Sequence, residues 1–109
     1  MRSFTAQMYN RRQFAPPASD FVNARLLAAA APELIAVPQD GRYVIFSSGA
    51  DFYARFGASD VVAAIPNADI TDGSAAELNP EAREIPDGVT HLSLVAPQAT
   101  VVTMAWYGV

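Results

Sequence analysis

The chain reads as an all-β protein: an antiparallel β-sandwich or small barrel of about seven to eight strands, with an extended N-terminal arm. Strand-like segments recur about every 8 to 12 residues with turn chemistry between them, as in small sandwiches and barrels. Several of these segments alternate apolar and polar residues with period two. At 109 residues the chain has the length of one domain. We divide it into an arm over residues 1–23 and a single sandwich domain over 24–109.

The arm, "MRSFTAQMYNRRQFAPPASDFVN", shows no sustained period of either kind. Pro16 and Pro17 favour an extended, polyproline-like course and exclude a helix interior or a central strand. A flexible tail usually lacks aromatics, whereas this one carries Phe4, Tyr9, Phe14 and Phe21. It therefore reads as a segment that docks, either on its own sheet or on a neighbour. In "ARLLAAAAPELIAVP" alanine and leucine favour helix, but Pro32 leaves room for two turns at most over 24–31. Strand or irregular structure is expected there. "QDGR" is a turn with a glycine able to take positive φ.

Regularity begins at residue 42. "RYVIFSS" and "DFYARFG" flank "SGAD" in a hairpin-like arrangement. In the second run Phe52, Ala54 and Phe56 share one face, the core-lining one, and Tyr53 and Arg55 share the other. "VVAAIP" comes next as a strand-like segment and "NADITDG" as loop. "SAAELNP", "AREIP", "THLSLVAP" and "TVVTMAWYGV" are the remaining segments, separated by proline-bearing turns. In "THLSLVA", Leu92, Leu94 and Ala96 oppose His91, Ser93 and Val95. The two faces of the last segment are almost equally apolar, which places it centrally or under cover on both sides.

Composition narrows the function. Hydrophobic residues make up 51% and charged residues only 17%, so the chain either hides much of its surface against something or is prone to aggregate. With no cysteine, disulfides, thiolate metal sites and cysteine nucleophiles are excluded. All seven positive charges are arginine, through coding bias or because arginine suits interfaces. A net charge of −4 argues against nucleic acid. No apolar run approaches the roughly 20 residues of a membrane span. "RRQF" at 11–14 is similar to a twin-arginine export signal, but Pro16, Pro17, Asp20, Asn23 and Arg25 interrupt any hydrophobic stretch after it, and no targeting segment is read.

Catalytic constellations are scarce. The lone histidine, His91, permits no multi-histidine metal site, and no serine sits in a nucleophile elbow. Asp69 with Asp72, and Glu81 with Glu84, read as solvated loop carboxylates rather than an acid–base pair. "DITDG" lacks the alternating acidic spacing and closing glutamate of an EF-hand. No glycine-rich phosphate loop is present. The expectation is a non-enzyme with no cofactor and no metal. Trp106 reads as core, or one of Trp106 and Tyr107 belongs to a partner interface.

"YVIFSSGADFYARFGASD" followed by "ELNPEAREIPDGVTHLSLVAPQATVVTMAWYG" resembles small β-rich structural proteins of tailed bacteriophages, over residues 42–108. The resemblance implies a virion protein, most like a capsid decoration (cement) protein on the outside of the assembled head. The implied location is the capsid surface, after synthesis in the host cytoplasm. Its implied partners are the major capsid protein and neighbouring copies of itself, with no nucleic acid and no membrane. The family has no catalytic residues to carry over; Phe52, Phe56, Leu92, Leu94 and Trp106 match as framework. Phe4, Tyr9, Arg11, Arg12, Phe14, Phe21 and Arg55 are the candidate partner-interface residues. Two other readings stay open: another virion component (head–tail connector, tail or head-fibre base), or a small carbohydrate-binding module stacking sugars on Trp106 and Tyr53.

Overall fold

The computed structural model describes residues 1–3 and 16–108, and among these it is all-β. The strands are β1 (Val22–Leu27), β2 (Glu33–Ala36), β3 (Tyr43–Ser48), β4 (Tyr53–Gly57), β5 (Glu77–Leu78), β6 (Ala82–Glu84), β7 (His91–Val95) and β8 (Thr100–Tyr107). They form two four-stranded sheets, ordered β1-β8-β3-β6 and β2-β7-β4-β5. Every pairing between these strands is antiparallel. The first strand pairs with the eighth, the second with the seventh, the third with the sixth and the fourth with the fifth. One long antiparallel hairpin folded over itself gives this nesting, which is the jelly-roll form of the sandwich.

The inner faces follow from alternation. In β8 Val102, Met104 and Trp106 point inward and are buried, opposite Val44 and Phe46 of the neighbouring β3. The second sheet supplies Ile35, Phe52, Ala54, Leu92 and Leu94. Phe46 of the first sheet meets Phe52 of the second at 5.6 Å between ring centroids and Phe56 at 6.2 Å, tilted arrangements that favour ring edge against ring face. Trp106 is fully buried, and its indole Nε1–H finds no acceptor among the described residues. A buried donor left so costs about 1–3 kcal/mol, accepted here for the area the ring buries.

Four sequence expectations are corrected. The runs around "SGAD" are not a hairpin: β3 and β4 lie in different sheets, and residues 49–52 carry the chain across the sandwich. This crossing is what sets Phe46 against Phe52. "VVAAIP" forms no strand; it lies over the outside of β7, where the Ala63 amide donates to Ser93 Oγ at 2.9 Å. That contact covers Ser93, and both Ser93 and Val95, on the face of β7 away from the core, are as buried as Leu92 and Leu94. In "QDGR" the positive φ belongs to Asp40 (66°). Gly41 is required for space, since a Cβ there would stand 3.0 Å from the Pro38 carbonyl oxygen and 3.2 Å from the Trp106 ring. Finally, Val22 and Asn23, assigned to the arm, belong to β1; that residues 24–27 are strand agrees with the expectation for that segment.

The corner between β5 and β6 rests on Asn79, at φ 48°, a left-handed conformation that asparagine tolerates better than most residues. Its Oδ1 accepts from the Phe52 amide at 2.9 Å, its Nδ2 donates to Asp51 at 2.9 Å, and its amide donates to the Phe52 carbonyl at 2.9 Å. One side chain thus ties the β3–β4 crossing to the β5–β6 corner.

Two substitutions test this account by chemical denaturation. Leu94→Ala, which empties the fully buried centre of β7, is expected to cost about 2–5 kcal/mol. Asn79→Ala, which removes two side-chain hydrogen bonds and leaves alanine at positive φ, is expected to cost about 1–3 kcal/mol. Losses near zero for either would contradict the packing described.

Candidate interaction surface

The residues of β1, "VNARLL", alternate Val22, Ala24 and Leu26 with Asn23, Arg25 and Leu27. An alternating strand ordinarily turns its more apolar set toward the core. This strand does the reverse. Leu27 is buried and Arg25 half-buried, while Val22 is 56% and Leu26 69% exposed. The phase is set by Leu27 in the core and by the register with β8, where Val22, Ala24 and Leu26 oppose Ala105, Thr103 and Val101, the outward residues of that strand. A slip of one residue would exchange the two sets.

The outer face of this sheet is therefore nearly uncharged. Ile45 and Ser47 of β3 and Ala82 of β6 continue it, and Val101 is 47% exposed. Glu84, opposite Tyr43 on β6, is the one charged residue that the four strands turn to this side. Tyr107 at its far end is buried, with its hydroxyl donating to the Pro17 carbonyl at 2.7 Å.

Ion pairs stand at both edges of the sandwich. Arg25 meets Glu33 across β1 and β2 at 3.4 Å. On the far side Arg83 of β6 holds Glu77 of β5, and the guanidinium is pushed up from its ordinary pKa chiefly by that hydrogen bond. Partly exposed pairs of this kind contribute up to about 1 kcal/mol each, so they select the edge geometry more than they stabilise it.

Arg2 and residues 19–21 dock on the end of β8. The Gly108 amide donates to the Arg2 carbonyl at 2.6 Å, the Arg2 amide to Asp20 Oδ1 at 3.0 Å, and the Trp106 amide to the Phe21 carbonyl at 2.9 Å. Ser19 Oγ reaches the Trp106 carbonyl at 2.6 Å.

Of the candidate interface residues, Phe4, Tyr9, Arg11, Arg12 and Phe14 lie outside the described residues. Phe21 stands just before β1 and is 40% exposed. Arg55 projects from β4 on the opposite sheet, exposed, and makes no salt bridge among the described residues. The structure does not bring these two together. The apolar outward set of β1 was not among the candidates; its signal was present in the alternation of "VNARLL", but not the side to which it turns.

The paired rings of the sugar-stacking reading are not available. Trp106 is 0% exposed, on the inner side of one sheet, and Tyr53 lies on the outer side of the other. Of the carboxylates, Glu84 belongs to β6 rather than to a loop. Asp72 closes a turn, accepting from the Ser74 amide at 3.0 Å and the Ser74 hydroxyl at 2.6 Å. No group of three or more metal-ligating side chains gathers among the described residues. No family model, curated protein or solved structure matches the chain.

The Ser74 hydroxyl and amide hold the Asp72 carboxyl below the usual aspartate range. A folded-state pKa that is depressed contributes stability present above the unfolded value and lost as pH falls through the folded one. In a carboxyl-carbon NMR titration, Ser74→Ala is expected to move the Asp72 midpoint upward. An unchanged midpoint would assign the depression to another cause.

Proposed function

We propose that the chain is a capsid decoration protein of a tailed bacteriophage, binding the outside of the assembled head and reinforcing contacts between major capsid subunits. The observation that carries this reading is the nearly uncharged outer face of the β1-β8-β3-β6 sheet, where Glu84 is the one charge. Val22, Leu26 and Val101 lie open on it, and it fits apposition to another protein surface better than exposure to water. The low charge content of the whole chain (17%) points the same way.

The virion setting comes from the resemblance over residues 42–108. The jelly roll is compatible with it, being an architecture of viral capsid and lectin domains alike, and a fold by itself does not select a function. In this role no catalysis and no cofactor is required. Binding only to the assembled shell stabilises the shell by mass action. Phe4, Tyr9, Arg11, Arg12 and Phe14, with Phe21, supply aromatic and arginine anchors of the kind that dominate protein interfaces. Arg55, on the opposite sheet, is a contact to a lateral neighbour.

Peptide mass spectrometry of particles purified from cultures that make this chain tests the reading. A copy number comparable to that of the shell's repeated sites is expected. A single ring's worth would move the protein to the neck or tail, and absence from particles would end the proposal. Arg55→Ala is expected to weaken binding to heads in a co-sedimentation assay while moving the melting temperature little. A large stability loss would make Arg55 a structural residue instead.

A further inference from the structure

The two sides of the sandwich treat their strand edges differently. On one side the edge strands β5 and β6 are two and three residues long, and Arg83 caps the Ala82 carbonyl and pairs with Glu77. Short, charged edges of this kind resist pairing with another chain. On the other side β2 has four residues and stands between Pro32 and Pro38. β1 has six, with no lysine, proline or bulge.

The hydrogen-bonding phase of β1 shows what its edge offers. The Trp106 amide donates to the Phe21 carbonyl, so residues 21, 23, 25 and 27 turn their backbone groups toward β8. Val22, Ala24 and Leu26 turn theirs away, to the open edge. No partner takes those groups among the described residues. The same three residues carry the inverted apolar alternation, two of them with more than half their surface exposed.

We infer that the edge of β1 pairs antiparallel with β1 of a second copy of this chain, about a two-fold axis at Ala24, joining two four-stranded sheets into one of eight. The three open residues are symmetric about Ala24. In this register Ala24 faces Ala24 and Val22 faces Leu26 of the other copy, so every open amide and carbonyl of the three finds a partner. The side chains that meet on the outer face are all apolar. Between these rungs Arg25 lies opposite Asn23 of the other copy. An inward charge on an edge strand ordinarily discourages pairing, but Glu33 neutralises this one at 3.4 Å within its own chain. Moving the axis to residue 25 would set Arg25 against Arg25, a like-charge contact that costs stability. Charge and hydrogen-bonding phase together select the second copy as occupant, and the inference does not depend on where in a virion the protein sits.

Sedimentation equilibrium and cross-linking test it. A strand-edge contact is small by the standard of stable interfaces, so a dimer is expected at concentrations on the order of 100 μM rather than at nanomolar dilution. Ala24→Pro removes an amide that faces only the open edge and is expected to give a monomer with nearly unchanged melting temperature. If that variant does not fold, Leu26→Lys, at a 69% exposed side chain, serves instead, with the same expectation. Because the chain has no cysteine, Ala24→Cys reports the register directly. Opposed residues of a hydrogen-bonded pair stand about 5.5 Å apart at Cα, within disulfide reach. It is expected to cross-link on oxidation much faster than Ala28→Cys, which is exposed but off the axis. A wild-type monomer at that concentration would overturn the inference and leave the edge to a foreign strand. A dimer that survives Leu26→Lys, or equal cross-linking of the two cysteine variants, would overturn it as well.

Discussion

Each of the eight strands among the described residues finds a partner from the other arm of the chain, and the rest of the architecture depends on that constraint. The pairs 1–8, 2–7, 3–6 and 4–5 close around a single fold-back between β4 and β5. The outermost pair joins residues 73 to 83 positions apart, from Leu27 and Thr100 to Val22 and Ala105. Closing such loops costs entropy before the contacts that reward it exist. The crossing at residues 49–52 and the Asn79 corner are the places where local geometry works against that cost. They fix how β3 and β4 enter opposite sheets, and they bring Phe46 onto Phe52 and Phe56. Where those rings meet, the two sheets share one interior with the buried residues of β7 and β8.

What could be read from the amino-acid order was the content of single strands. Phe52, Ala54 and Phe56 point inward as their alternation requires, and β8, with two apolar faces, is central between β1 and β3. What could not be read was which sheet each strand joins. "SGAD" has the chemistry of a tight turn whether the chain reverses within one sheet or crosses to another, and only the competing claims of β6, β7 and β8 decide. Nor does a period-two pattern say which side will be covered. β7 looks half-polar because of His91 and Ser93, yet Ser93 is buried, because residues 61–65 lie against it and Ala63 satisfies its hydroxyl.

The same gap governs the interaction surface. Aromatics and arginines in the N-terminal residues drew attention because such side chains mark interfaces by type. The surface that the fold presents is marked instead by orientation. Its residues are valine, alanine and leucine, ordinary in composition and informative only once Leu27 fixes which way β1 turns. Arg25, which looks like a surface charge in the sequence, sits on the inner side of the edge with Glu33. What the open edge of β1 offers is largely backbone groups, which no residue type reports.

The pairing of β1 with β8 also settles how the molecule answers a pull. The strands run antiparallel, so the start of β1 and the end of β8 lie together, at Val22 and Ala105. Tension drawn through these two neighbouring ends loads the pair as a zipper. Its rungs part in sequence from Val22 toward Leu27, each carrying the load alone. Tension applied instead along the strands, at opposite ends of β1 and β8, loads the whole ladder from Val22 to Leu27 at once and must shear its rungs together. The fold is thus soft along one direction and stiff along others, a mechanical anisotropy fixed by strand order alone.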